Sequence, residues 1–97
     1  MAQTTTIPLL KVKIIAPKEE LFSGEALSLS SINSAGKFDI LPMHANFVTL
    51  VENTPIIIRK TDKSEEKFNF PMAIIYASCN QVKIYTDVHL PLTPDWR

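Results

Sequence analysis

The chain has 97 residues, with ten basic and ten acidic side chains and a formal net charge of zero. This length fits one domain, and 45% hydrophobic residues are enough for a core, so disorder is not expected. The zero net charge gives no reason to expect nucleic-acid or anionic-lipid binding, and the single cysteine, which can form no internal disulfide, fits a reducing compartment.

The sequence contains no segment typical of a membrane span or a secretion signal. Its longest apolar runs, such as Ile56–Ile58 and Met72–Tyr76, are far shorter than the ~20 residues that a spanning helix needs. The first residues, Met1–Thr6, lack both the basic and the apolar region of a signal peptide. We therefore expect a soluble, cytosolic domain.

Alternation of apolar and polar residues predicts β-strands in the first third of the chain. Leu10–Ile14 alternates apolar residues with lysines, which is typical of a strand with one buried face. After Glu20–Phe22, the pair Ser23-Gly24 predicts a turn. Ala26–Ile32 predicts the next strand, with its serines on the exposed face, and Asn33–Gly36 predicts the turn that follows it.

The middle of the chain continues the same pattern. Lys37–Leu41 alternates and stops at Pro42, which cannot continue a central strand. Asn46–Val51 fits helical and alternating spacing equally well, and its β-branched residues favour a strand. Ile56–Ile58 is β-branched throughout, which predicts a strand covered on both sides.

A charged hairpin and two further strands are predicted in the last third. Thr61–Glu66 is the most highly charged stretch, which predicts a solvated hairpin tip. The alternating Lys67–Phe70 and the apolar Met72–Ala77 predict strands. A turn at Ser78–Asn80 then leads into a last alternating strand, Val82–Tyr85.

Together these elements predict an all-β domain of short strands, either a sandwich or a barrel. We expect it to occupy residues 10–86, between a flexible N-terminal tail, residues 1–9, and an irregular C-terminal tail, residues 87–97. Pro91 and Pro94 exclude a regular helix or a central strand from the C-terminal tail.

Residues that commonly carry catalysis or bind metals are few and scattered. His44 and His89 are the only histidines, Cys79 is the only cysteine, and no spacing among them matches a known pair of metal ligands. Two glycines cannot build a loop that cradles phosphate groups. We therefore expect no catalytic residue, no metal and no cofactor.

His44 stands at a notable position, because it follows Pro42 in the first turn after a predicted strand. Two interpretations are open. The favoured one is that His44 hydrogen-bonds the turn backbone and fixes the bend. The other is that His44 belongs to a protein-contact surface at one end of the domain.

Three blocks of sequence form a set with a fixed order and spacing. They are Leu10–Pro17 with Leu21–Ala26, then Gly36–Leu50, then Ala73–Tyr76 with Asn80–Ile84. The first contains Phe22, Ser23 and Gly24, and the second contains Leu41-Pro42 shortly before His44. This set resembles the amino-terminal β-sandwich domain of the F-type ATP synthase epsilon subunit, whose mitochondrial counterpart is called delta.

The resemblance implies a two-sheet β-sandwich of about eight to ten short strands. It also implies a non-catalytic rotor subunit that links the gamma shaft to the ring of membrane c subunits and supports the coupling of ion flow to ATP synthesis. Such a subunit lies at the cytoplasmic side of the energy-transducing membrane and is held there only through the complex. A free-standing β-sandwich protein-binding module is the alternative, because fold does not dictate function.

The resemblance also implies two groups of residues. The contact surface toward the c-ring is the turn before the Leu-Pro segment together with two nearby residues, namely Asn33, Ser34, Ala35, Gly36, Lys37, Met43 and His44. Lys37 stands where an acidic residue is often found. The structural motif consists of Phe22, Ser23, Gly24 and Pro42.

This sequence departs from the family pattern at several turns. Met43 stands where glycine is usual, Asn53–Pro55 where Lys-Pro-Gly is common, and Met72-Ala73 where two glycines are common. We expect those turns either to be rearranged or to tolerate strain. The family usually continues into a carboxy-terminal helical hairpin. The prolines after Thr86 do not fit such a hairpin. We therefore expect neither inhibition by a helical arm nor ATP binding in that segment.

Overall fold

The computed structural model describes residues 8–86, and every regular element in this range is a β-strand. The strands are β1 (Leu10–Ile15), β2 (Glu20–Asn33), β3 (Gly36–Ile40), β4 (Phe47–Val51), β5 (Pro55–Lys60), β6 (Glu65–Asn69), β7 (Ala73–Ser78) and β8 (Gln81–Thr86). The all-β prediction is confirmed, and the segment that also fitted helical spacing is strand β4. Most of the two predicted tails, with His89 and the prolines after Thr86, lies outside the described residues.

All eight strands belong to one continuous hydrogen-bonded sheet. Their order is β4-β7-β8-β1-β2-β5-β6, with β3 paired to β2. β1 and β8 are parallel, whereas the other paired strands are antiparallel. The sheet curls over its own inner face, because β3 and β4 share no ladder yet Phe38 and Phe47 bring their ring centroids within 5.3 Å. This curled sheet is the predicted sandwich, closed around a single core.

The core is formed by aliphatic side chains from every strand except β6. The fully buried members include Leu10, Val12, Ile14, Leu29, Ile40, Ile56, Ile58, Ile75, Val82 and Ile84. Each such side chain contributes on the order of 1.5–3 kcal/mol by leaving water. Ile57, between two buried isoleucines, is only half-buried, so β5 is fully covered on one side and the prediction of cover on both sides is not met.

Strand β2 connects the two layers and contains a β-bulge. Ala26 lies opposite Lys60 and Ser28 lies opposite Arg59, so β2 has one residue more than β5 in this interval. An extra residue reverses which face each later side chain occupies. Ser31 is therefore buried, and the prediction that the serines of this strand are exposed is wrong at Ser31. Its hydroxyl donates a hydrogen bond to the carbonyl oxygen of Pro55, at 2.9 Å.

The predicted turn at Ser23-Gly24 is also wrong, because both residues lie inside β2. Ser23 is opposite Lys13 and Gly24 is opposite Val12 in the ladder with β1. A Cβ added to Gly24 would lie 3.3 Å from the ring of Phe22. The glycine of this motif thus makes room for the Phe22 ring, which packs edge-on against Phe68 with ring centroids 5.8 Å apart.

The other predicted turns are present. Ser34 and Ala35 connect β2 to β3, and the charged residues after Lys60 connect β5 to β6. Cys79 and Asn80 connect β7 to β8, with φ angles of 52° and 61°. Positive angles at both central positions are those of a type I′ turn, whose twist matches the twist of the flanking strands.

Candidate protein-contact site

The tip of the β2–β3 hairpin, residues Asn33–Lys37, has a backbone fixed by one side chain and one glycine. The Asn33 side-chain oxygen accepts a hydrogen bond from the Ala35 N–H, at 2.8 Å. Gly36 has φ 123°, an angle that a residue with a Cβ rarely adopts, although no atom crowds the position. The five residues therefore form a compact tip with an exposed Lys37 at its edge.

Strand β4 and the β4–β5 loop anchor this tip to the rest of the domain. The Asn33 side-chain amide donates to the Thr49 hydroxyl on β4, at 3.0 Å. The Thr54 hydroxyl donates to the carbonyl oxygen of Ile32, at 3.1 Å. The Asn33–Thr49 bond crosses from one layer to the other and holds the tip against β4, and the Thr54 bond holds the end of β2 to the loop that precedes β5.

A groove of about 450 Å³ lies beside the tip. Its walls come from the end of β2, from β4 and from the loop between β4 and β5, namely Ile32, Asn33, Ser34, Thr49, Leu50, Glu52 and Thr54. The groove is open, and five of its seven lining residues are polar. A contact surface for another protein fits this lining better than an enclosed ligand site, which is mostly apolar.

The structure separates the predicted contact residues into two groups. Residues Asn33–Lys37 end β2, form the turn and begin β3, whereas Met43 and His44 lie in the β3–β4 loop, residues 41–46, beyond the other end of β3. Three residue steps separate Lys37 from Ile40, the last residue of β3, so at about 3.3 Å per residue the β3–β4 loop begins roughly 10 Å beyond the tip. Met43 and His44 are therefore not neighbours of the tip, and contact of either group with a partner stays a prediction.

The β3–β4 loop is held by its own backbone and by the turn between β7 and β8. The N–H of His44 donates to the carbonyl oxygen of Leu41, at 3.1 Å, and the His44 Nδ1 lies 2.7 Å from the Ala45 carbonyl oxygen. The N–H of Met43 donates to the side-chain oxygen of Asn80. These contacts favour the interpretation of His44 as a residue that fixes the bend, and its ring also packs edge-on against Phe47.

Met43, at the turn where the resemblance implies a glycine, has a φ of 69°. Asn53, at another such turn, has φ 52°. Both turns thus contain a left-handed residue that bears a Cβ. The cost is roughly 1–2 kcal/mol at Met43 and smaller at Asn53, because asparagine adopts this region readily. Pro42 ends the preceding strand, as predicted, since β3 stops at Ile40.

The described residues bring no reactive groups together. Among residues 8–86, no three histidine, cysteine, aspartate or glutamate side chains are placed to hold a metal ion. Cys79 is exposed in the β7–β8 turn, where its nearest polar contact is the Ser78 hydroxyl, at 3.8 Å. Within the same range, the structure contains no helix that would cross a bilayer.

The sequence patterns did not predict the residues that orient the tip. Asn33 was expected in the contact surface, but its bond to Thr49 joins positions 16 residues apart. Asn80 was expected only as a turn residue, yet it also fixes the β3–β4 loop. The pairing of β4 with β7 brings the β3–β4 loop to Asn80, and the approach of β2 to β4 across the two layers brings Asn33 to Thr49.

Comparison with known proteins identifies the family. A family model described as the β-sandwich domain of the ATP synthase delta/epsilon chain matches residues 9–91. The ATP synthase epsilon chain of Sulfurimonas denitrificans is 40% identical over 57 residues, which is 59% of this chain and 44% of that protein. The epsilon chain of a Nitratiruptor species is 28% identical over 83 residues, covering 86% of this chain and 64% of that protein.

A solved structure shares the fold. A chain in the cryo-EM structure of the Euglena gracilis mitochondrial ATP synthase, OSCP/F1/c-ring, superimposes with a TM-score of 0.77 and 13% identity, covering 93% of this chain and 58% of that chain. The present chain thus spans less than two thirds of each of these relatives, and less than half of the first. The residues matched by the family model, together with the all-β fold, show that the chain belongs to the family of ATP synthase delta/epsilon chains.

Proposed function

We propose that this chain is an epsilon-type subunit of the central stalk of an F-type ATP synthase. In this role it links the gamma shaft to the membrane c-ring and supports the coupling of ion flow to ATP synthesis. It performs no bond chemistry itself, and it lies at the cytoplasmic side of the energy-transducing membrane, attached through the complex. The observation that carries the proposal is the match of the family's β-sandwich domain to residues 9–91.

The hydrogen bonds that fix the hairpin tip suit a subunit that transmits rotation. A rotor subunit transmits torque only if its contact surfaces keep their positions relative to one another. The side-chain bonds of Asn33 and Thr54 hold the tip against β4 and the β4–β5 loop. A continuous ladder of eight strands then connects the tip to every other surface of the described part.

We assign the ring-facing contact to the hairpin tip, Asn33–Lys37. The tip is exposed, has a fixed backbone and presents the cation of Lys37. The β3–β4 loop, with Met43 and His44, is then a second contact on the same subunit. Since the two groups lie at opposite ends of β3, they meet different parts of the assembly.

Co-purification tests the assignment to the stalk. A tagged chain, extracted from membranes of its own organism in mild detergent, is expected to elute with a near-equal amount of gamma subunit and with the c-ring. A chain fully separated from both subunits under these conditions would contradict the proposal and favour a free-standing binding module.

A charge reversal tests the ring contact. Lys37→Glu is expected to reduce the recovered c subunit at least about threefold while gamma is retained, because a rim charge steers and orients a contact. Lys67→Glu, the same change at an exposed site on β6, is the matched control and is expected to leave both subunits bound. Equal loss of c subunit with the two variants would argue against a contact at the tip.

A further inference from the structure

Strand β3, the C-terminal half of β2, β5 and β6 form one layer of the curled sheet, and the outer face of this layer is called the mixed-charge face below. The ladder registers arrange its outward side chains in rows across the four strands. The central row consists of Asp39, Ser30, Ile57 and Lys67. Adjacent strands are about 4.8 Å apart, so the row runs roughly 14 Å across the sheet.

The mixed-charge face has a low column of side chains beside a high one. On β2 the outward residues Ser28 and Ser30 are small, whereas Arg59 and Ile57, which lie opposite them on β5, are large. A shallow groove of about 190 Å³ lies on this face, with Ser30 and Ile57 in its lining. The face therefore presents a ridge along β5 and a trough along β2.

The two borders of the mixed-charge face carry opposite charges in the same row. Asp39 on β3 begins the central row and Lys67 on β6 ends it, and both residues are exposed. The Asp39 carboxylate accepts a hydrogen bond from the Ser30 hydroxyl. Among residues 8–86, however, neither Asp39 nor Lys67 has an oppositely charged group within ion-pair distance. Both charges are thus available to a second molecule.

These features make the mixed-charge face complementary to a copy of itself. Two copies can stack face to face about a two-fold axis that lies between them, parallel to the strands, so that β3 of one copy covers β6 of the other and β2 covers β5. Asp39 of each copy then meets Lys67 of the other, and the ridge of each copy enters the trough of the other. Such aligned stacking is one of the two ways in which sheets commonly pack.

The outer face of the other layer cannot pair with itself in this way. There Lys83 of β8 lies opposite Lys13 of β1. Alternation along β1, β4, β7 and β8 places no carboxylate on that face. Two copies of it would bring lysines together with no negative charge between them, which is unfavourable. Complementarity to a second copy is therefore a property of the mixed-charge face and not of both faces.

We infer that two copies of this chain associate through the mixed-charge face, with Asp39 of each copy against Lys67 of the other. The inference does not depend on the proposed function. The half-buried Ile57 supplies apolar surface at the centre, and the two ion pairs at the borders fix the orientation. The face is only four short strands wide, which is less than the ~800 Å² that each partner of a stable complex buries. We therefore expect a reversible dimer with a dissociation constant above about 1 μM.

Sedimentation equilibrium of the purified full chain over a range of concentrations tests the inference. The wild type is expected to show a reversible equilibrium between monomer and dimer. Asp39→Lys and Lys67→Glu are each expected to weaken self-association at least about tenfold, because each change places like charges opposite one another. An equimolar mixture of the two variants is expected to associate within about threefold of wild type, because the new lysine of one variant meets the new glutamate of the other. Recovery in the mixture also shows that both variants are folded.

Lys83→Glu, the same change on the other layer, is the matched control and is expected to self-associate within about twofold of wild type. The dissociation constant of the wild-type dimer is also expected to rise with salt concentration. A wild type that stays monomeric overturns the inference and leaves the mixed-charge face to a different protein. The inference is also overturned if the Asp39 and Lys67 variants associate as tightly as wild type, or if their mixture does not recover. None of these results bears on the proposed function, which co-purification tests separately.

Discussion

Met43 and Asn80 show how single residues shape the ends of this domain. Both have left-handed backbone angles, of 69° and 61°. The Met43 N–H donates to the Asn80 side chain, and the Asn80 carbonyl oxygen accepts from the N–H of Lys11, at 2.9 Å. One asparagine thus connects the β3–β4 loop to β1, which stabilises a loop whose backbone would otherwise be strained.

Replacement of Met43 by glycine is expected to stabilise the protein. The Met43 side chain is 78% exposed, so little burial is lost, while the left-handed backbone no longer opposes a Cβ. We expect a gain of about 0.5–1 kcal/mol in the free energy of unfolding, after the greater freedom of glycine in the unfolded chain is subtracted. Urea unfolding of the wild type and the variant measures this gain.

Ala45→Gly, in the same loop, is the matched control. Ala45 is exposed and lacks a positive φ, so glycine there only increases the entropy of the unfolded chain. We expect a loss of about 0.4–1 kcal/mol. A loss of stability in both variants would show that the backbone at Met43 is not strained.

The β5–β6 hairpin is an element whose tip depends on one carboxylate. The hydroxyl and the N–H of Ser64 both donate to the Asp62 carboxylate, the latter at 2.9 Å. These two hydrogen bonds lower the pKa of Asp62 below its ordinary value, and the bond from the Ser64 hydroxyl has the larger effect. The tip was predicted from its charge as a solvated turn, and the role of Asp62 inside it follows from the spacing of an Asx turn.

Acidification is expected to loosen this tip before the rest of the sheet. A carboxyl group whose pKa is lowered on folding stabilises the folded state above its unfolded pKa, and this contribution is lost as the pH falls through the folded pKa. The loss is therefore expected below about pH 4. Amide hydrogen exchange at residues 61–64 measures it, and Asp62→Asn should remove the pH dependence. Equal acid sensitivity in wild type and variant would exclude Asp62 as its source.

At the scale of the whole molecule, β1 connects the two parts of the curled sheet. It is parallel to β8 on one side and antiparallel to β2 on the other. Val12 and Ile14 face the core, while Lys11, Lys13 and Ile15 alternate with them on the outer face. The same six residues thus hold the fold together and present two lysines and an isoleucine on the outer face.

Ile14→Ala and Ile15→Ala separate these two roles. Ile14 is completely buried, so its truncation is expected to cost roughly 2–5 kcal/mol of unfolding free energy through lost burial and a cavity. Ile15 lies on the outer face, and its truncation is expected to cost about 1 kcal/mol or less. Thermal or urea unfolding of the full chain measures both. Similar losses would mean that β1 is not oriented as described.

The sequence alone determined the all-β class, most of the strand positions and the hairpin tip at Asn33–Lys37. These features depend on alternation and on turn residues, which are local properties of the chain. The same local reading failed inside β2, because neither the bulge after Ala26 nor the strand position of Gly24 leaves a local signal. Both depend on which strands lie beside β2.

Only the tertiary structure decided which residues of distant segments lie side by side on the surface. It placed Met43 and His44 away from the tip and brought Asn80 to the β3–β4 loop. It also aligned residues of β4, β7, β8 and β1 in one apolar row, although β1 and β4 are far apart in the chain. The physical reason is that strand order and register arise from pairing between distant segments, whereas alternation reports only whether each residue faces inward or outward.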